Sequence, residues 1–177
     1  MKKLNRKSRV LAAVALCALV AGTAAAFARQ QMASNRAASA GRPEIRVSLA
    51  GAVAREDERV PLEKAGAVRP GEVLDWTITS LNEGDGAARE YRTVGMIPKG
   101  TSLVAGSATA EYDAAVTYSI DNGKTFSAQP TVEERQPDGT VKTVPAPVSM
   151  YTQVRYEWAE PLGAGKSLAA SYKVRVR

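Results

Sequence analysis

The chain contains no histidine and a single cysteine, Cys17. Without histidine there is no Ser-His-Asp or Cys-His nucleophilic site and no His-containing zinc site, and one cysteine cannot build a cysteine metal cage. No G-x-S-x-G segment offers a nucleophile elbow, which leaves a Ser-Lys dyad as the one arrangement of this kind that composition keeps open. The phosphate loop G-x-x-x-x-G-K-[ST] is missing too. Gly163-Ala164-Gly165-Lys166-Ser167 has its ending without its spacing or a following helix, and reads as a hairpin loop. After Glu44 no stretch sustains a helical period.

Acidic pairs for glycoside hydrolysis need two carboxyls about 5–10 Å apart across a cleft. The clustered acids here, Glu56-Asp57-Glu58 and Glu133-Glu134, are interleaved with Arg55, Arg59 and Arg135 in or near turns, the pattern of solvated loop charge. An EF-hand loop fails as well. With Asp85-Gly86 at its fifth and sixth positions, Leu81 falls at the first and Arg92 at the twelfth, so both chelating ends are lost. A looser calcium site on Glu83, Asp85 and backbone carbonyls stays open. The residues therefore predict no enzyme, no catalytic or cofactor-binding residues and no metal ligands.

What is present begins with a targeting pattern. Residues 1–28 carry a basic start, MKKLNRKSR, an apolar run from Val10 to Ala21, and a small-residue end with Ala26-Phe27-Ala28 as an A-x-A cleavage site. This predicts a signal peptide and an exported protein, periplasmic, at the cell surface or extracellular. The competing reading is an uncleaved anchor, since Val10 to Phe27 is uncharged, but the run is mostly alanine and spanning takes about 20 strongly apolar residues. Lys2, Lys3, Arg6, Lys7 and Arg9 lie in this segment and no acid precedes Glu44, so cleavage removes most of the formal +6 charge. A nucleic-acid footprint then has little support, and contact with a membrane is expected only during export.

Residues 29–43, RQQMASNRAASAGRP, lack periodicity and read as a flexible linker. From Glu44 to Arg177 the text changes to short runs of period two between Gly, Pro, Asn and Asp, the signature of strands and turns. Ile45, Val47 and Leu49 share one face of the first run. RVPLEK is an edge piece because of Pro61. Leu74, Trp76 and Ile78 share a face that ends in the corner Asn82-Glu83-Gly84-Asp85-Gly86.

AREYRTVGMIP and TAEYDAAVTYSI read as single strands, with a tight hairpin at Asn122-Gly123. Residues 125–150 are the least regular, with a turn at Gln136-Pro137-Asp138-Gly139. Val154, Tyr156 and Trp158, then Leu168, Ala170, Tyr172, Val174 and Val176, alternate cleanly. Seven to nine such strands predict an all-β, antiparallel immunoglobulin-like β-sandwich over 44–177, with an open barrel as the alternative. Trp76, Tyr156 and Trp158 are its expected largest core members.

Several of these segments also resemble a known family. They are Arg69-Pro70-Gly71-Glu72-Val73-Leu74-Asp75-Trp76-Thr77-Ile78-Thr79, Asn82-x-Gly84, Ala87-Ala88, Ile97-Pro98-Lys99-Gly100, the run from Ser119 to Phe126, Val154-Arg155-Tyr156 and Pro161 to Gly165. Together they resemble the repeat domain of bacterial and archaeal surface proteins catalogued as domain of unknown function eleven, over about residues 62–177. The resemblance implies an immunoglobulin-like module of envelope, adhesive or extracellular structural proteins, with no catalytic residues to transfer. The chain departs from the pattern at Gly95, where the family usually has aspartate, and at Ser80, where an apolar residue is usual. It also holds one copy where many relatives have tandem arrays.

The function expected is structural or adhesive, through a protein partner or self-association at surfaces and strand edges, with strand exchange by residues 29–43 as one form of it. The alternative is a small-ligand or glycan module using Tyr112, Tyr118 and Tyr151 beside the 125–150 excursion.

Overall fold

The structure, a computed structural model, describes residues 41–55 and 58–177. The predicted signal peptide, linker residues 29–40, and Glu56 and Asp57 lie outside the described residues. The rest is an all-β sandwich. Strands β1 (Ile45–Arg55) and β2 (Glu58–Pro61) are followed by one helical turn, α1 (Leu62–Ala65), and by β3 (Val73–Asn82). Then come β4 (Arg92–Met96), β5 (Thr101–Leu103), β6 (Thr109–Ala110), β7 (Ala114–Ser119), β8 (Thr131–Arg135), β9 (Val141–Pro145), β10 (Gln153–Trp158) and β11 (Ser167–Val176).

All pairings are antiparallel. A six-stranded sheet runs β2-β1-β3-β11-β5, with β6 also on β11, and a three-stranded sheet runs β4-β10-β7. Strands β8 and β9 pair only with each other. The central strands follow the sequence closely, because period-two alternation puts one set of side chains inward and the other in water. In β10 the inward set is Val154, Tyr156 and Trp158, and in β11 Leu168, Ala170, Tyr172 and Val174, all buried. Pro61 lies on the edge strand β2, as its missing N–H requires.

Eleven strands replace the seven to nine expected, because long runs divide. TAEYDAAVTYSI is not one strand: β6 pairs with β11 in the large sheet and β7 with β10 in the small one. The chain changes sheets between them, and Tyr112 takes φ +56° at the step. AREYRTVGMIP shortens to β4, with Ala88 making only an isolated bridge to Leu162. Asn122 and Gly123 do take positive φ, 60° and 87°, but they sit inside a wider loop closed by the Tyr118–Ser127 bridge. The 125–150 segment is more regular than expected. It holds the β8–β9 hairpin, turning at Gln136–Gly139.

Tyrosines stitch the two sheets. Tyr156 of β10 donates its hydroxyl to the Ser171 carbonyl of β11 at 2.7 Å, and Tyr172 of β11 donates to the Met96 carbonyl of β4 at 2.7 Å. Tyr91, just before β4, donates to Ser80 Oγ of β3 at 2.7 Å and stacks on Trp158 with ring centres 5.7 Å apart. Both departures from the resembled family thus have a local reason. Ser80 supplies an acceptor for Tyr91. Gly95 has no room for a Cβ, which would run into the Tyr172 ring, and that ring is buried and tied at its hydroxyl. Trp76 is a correction to the expected core: it is only half-buried, at the border of the sandwich, while Tyr172 is a full core member at 1% exposure.

Burial pushes the Tyr172 hydroxyl up to about 12, and that of Tyr156 higher still, with Tyr118 and Tyr172 adding to the effect on Tyr156. An unfolded tyrosine ionises near 10, so the unfolded chain loses protons first. The stability due to these groups is fully present below that pH and is lost as pH rises toward 12. In an alkaline absorbance titration, Tyr156 and Tyr172 are expected to ionise only together with loss of near-UV circular dichroism. Ionisation of every tyrosine near pH 10 in a still-folded protein would contradict the packing.

Candidate interaction surface

At the corner after β3, Asn82 is fully buried. Its Oδ1 accepts the Glu44 and Gly84 N–H groups, each at 3.1 Å, and its Nδ2 donates to the Gly86 and Leu162 carbonyls at 2.7 and 2.9 Å. Both faces of the amide are satisfied, which fixes its orientation. Gly84 is glycine because the Arg42 carbonyl passes where a Cβ would be. The acids of this corner already have partners: Glu83 meets Arg46 at 3.0 Å, and Asp85 Oδ1 accepts the Arg42 N–H at 2.7 Å. Arg42 and Pro43, assigned to the linker by sequence, are thereby seated on the corner.

The Ser119–Phe126 run is a self-closed loop. Asp121 accepts from the Thr125 hydroxyl at 2.6 Å, the Thr125 N–H at 3.0 Å and the Ser119 hydroxyl at 2.7 Å. Those bonds, the Thr125 hydroxyl first, hold its carboxyl well below the usual range. Ser119 Oγ in turn accepts the Asp121 and Gly123 N–H groups. Phe126 lies under the Arg155 guanidinium, 4.4 Å from ring centre to Cζ. The motif is a turn-building device, and its carboxylate is committed.

The tyrosines proposed for ligand binding do not gather. Tyr118 and Tyr151 pack with ring centres 5.0 Å apart and planes tilted by 32°, both half-buried. Tyr112 is 79% exposed and adjoins the start of β7, where Ala114 opposes Trp158, whereas Tyr118 opposes Val154 at the other end of that pairing. Tyr112 overhangs a concavity of about 360 Å³ floored by Trp158, Leu162 and Leu168. Of the acid clusters, Glu133 and Glu134 point along the exposed β8–β9 hairpin and Glu58 is exposed. Among the described residues no three carboxylates, cysteines or histidines converge as metal ligands.

The surface that the sequence did not reveal lies along β1. Ile45, Val47 and Leu49 do share the inner face, but the three-stranded sheet stops at β4 and does not reach over them. Val47 and Leu49 are 53% and 57% exposed. With Val94 and Met96 of β4, also exposed, and Trp76 and Tyr172 behind, they border an apolar groove of about 310 Å³. Scattered apolar side chains on a surface need no explanation, whereas a contiguous strip between two strand edges does.

No family model, curated protein or solved structure matches the chain.

Replacing Asn82 with alanine leaves the Glu44 and Gly84 N–H groups and the Gly86 carbonyl without the partner Asn82 supplies, while the Leu162 carbonyl keeps the Ala88 N–H. The Asn82→Ala variant is expected to lose on the order of 3 kcal/mol of stability, read by urea unfolding. A loss under about 1 kcal/mol would show that water replaces the amide without cost.

Proposed function

We propose that the protein is an exported, non-enzymatic domain of the cell envelope or extracellular space, acting structurally or adhesively through its surface and strand edges. The observation that carries this reading is the open apolar groove between β1 and β4. Strand edges of this kind recruit other polypeptides by β-augmentation, main-chain bonds giving affinity and side-chain pockets giving selectivity. Composition argues in the same direction, since a chain without histidine has few means of proton transfer near neutral pH. Export rests on the signal-like residues 1–28.

Membership of the surface-protein repeat family is part of the proposal. The residues that carry the resemblance occupy positions with demanding local geometry: Asn82 and Gly84 at the corner, Ser119 and Asp121 in the loop, and Gly165 at φ +68°. A second reading, a small-ligand or glycan module, has the concavity beneath Tyr112 in its favour, where Lys166 and Ser167 join the apolar floor.

Cells expressing the full chain are expected to deliver it to the periplasm, the envelope or the medium, with Arg29 as the N-terminal residue by intact mass. Retention in the cytoplasm with Met1 in place would contradict the proposal.

A further inference from the structure

Strand β1 is paired with β3 along one side from Ile45 to Val53, but with β2 along the other side only from Ala52 to Arg55. Among the described residues, the outer edge from Ile45 to Gly51 therefore has no strand beside it. The usual protections are also missing from this window. It contains no proline, no lysine and no inward-pointing charge, and its inward side chains Val47 and Leu49 stand in water.

We infer that this edge is where a second copy of the chain pairs, antiparallel, about a two-fold axis through Ser48. The inference rests on the strand-edge reading above and names its partner. Three features of the window point to its own symmetry mate. The open edge is centred on Ser48, so pairing with itself sets Ile45 opposite Gly51 and ends at Ala52, where Pro61 of β2 takes over.

On the inner face, the same register places each Val47 opposite a Leu49 and buries two exposed side chains from each copy. On the outer face, Arg46 stands opposite Ala50 and Ser48 opposite Ser48, so no like charges meet across the pair.

Other registers fit less well. An axis between two residues would turn Val47 and Leu49 against the wrong face, because strand side chains alternate. An axis at Leu49 would set Arg46 against Ala52, whose edge β2 already holds. An axis at Val47 would set Gly51 opposite Pro43, which has no N–H to donate to the ladder. With the axis at Ser48 the large sheets of two copies become one continuous sheet. The apolar strips then adjoin across the axis, the same patch serving both subunits as in an isologous interface.

Cysteine scanning in the full chain, made Cys17→Ser to remove the native thiol, tests the register. Opposed residues of an antiparallel pair have Cα atoms about 4.5–5.5 Å apart, within disulfide reach. Ser48→Cys is expected to give a covalent dimer under mild oxidation. Ala50→Cys alone gives no covalent dimer, but cross-links when mixed with Arg46→Cys. Leu49→Lys, at a side chain already in water, is expected to abolish the dimer seen by sedimentation, and to match the melting temperature of the unsubstituted protein at dilutions where that protein is also monomeric.

The inference is overturned if the unsubstituted protein sediments as a monomer at micromolar concentration, or if Ser48→Cys cross-links no faster than Ala50→Cys. That second result would also follow if residues 29–40 or another protein filled the groove. Should Leu49→Lys fail to fold, the Ser48→Cys comparison still decides, since Ser48 is an exposed side chain on the outer face. A monomeric but exported protein would remove this interface and leave the proposed function standing, whereas a cytoplasmic dimer would do the reverse.

Discussion

The side-chain amide of Asn82 bonds three stretches of chain at once. It anchors the entry at Glu44, the corner at Gly84 to Gly86, and the turn at Leu162 between β10 and β11. A buried amide with all its partners in place is worth more for its directionality than for its net energy, because any other arrangement leaves polar groups unpaired in a dry site. Where β1 begins, and so which of its residues lie along the open edge, follows from this one constraint. Gly84 and Asp85 complete it, the first by admitting the Arg42 carbonyl and the second by accepting the Arg42 N–H.

A second constraint is the inequality of the sheets. Three strands cannot cover the inner face of six. The tyrosine bonds fix which part is covered. Tyr156 and Tyr172 lock β10 and β4 over β11, with Tyr91 tying in β3. The shortfall then appears at β1. Val47 and Leu49 have the pattern of core residues and the exposure of surface ones, a combination explained by a missing neighbour and not by their own strand.

Much of the fold was legible in the sequence because alternation reports directly on half-buried strands. Strands β10 and β11 carry an apolar face against a polar one, and their buried residues are those the spacing predicts, whereas β3 buries Leu74 and Ile78 but also turns Ser80 and Asn82 inward. What alternation cannot report is which sheet a strand joins. The run from Thr109 to Ile120 keeps its rhythm while crossing between sheets, and the only mark of the crossing is the backbone of Tyr112. For the β8–β9 hairpin the sequence marked the turn at Gln136–Gly139 but not the regularity of its strands, because Glu133, Glu134 and Arg135 give no apolar face to recognise. The role of Asn82 was illegible because its partners lie as far as 80 residues away. The open edge was illegible because being uncovered is a property of the whole topology.

The same logic connects fold to function. The feature that fold and proposed function share is the exposed main chain along β1. Amide exchange along β1 measures that exposure most directly. The amides between Ile45 and Gly51 that do not bond β3 should exchange freely at high dilution and become protected as protein concentration rises, while the β3-bonded amides stay protected throughout. Exchange of the outer amides that is fast at every concentration would contradict the account. So would protection that is equally strong at every concentration, because the edge would then be covered from within the chain itself.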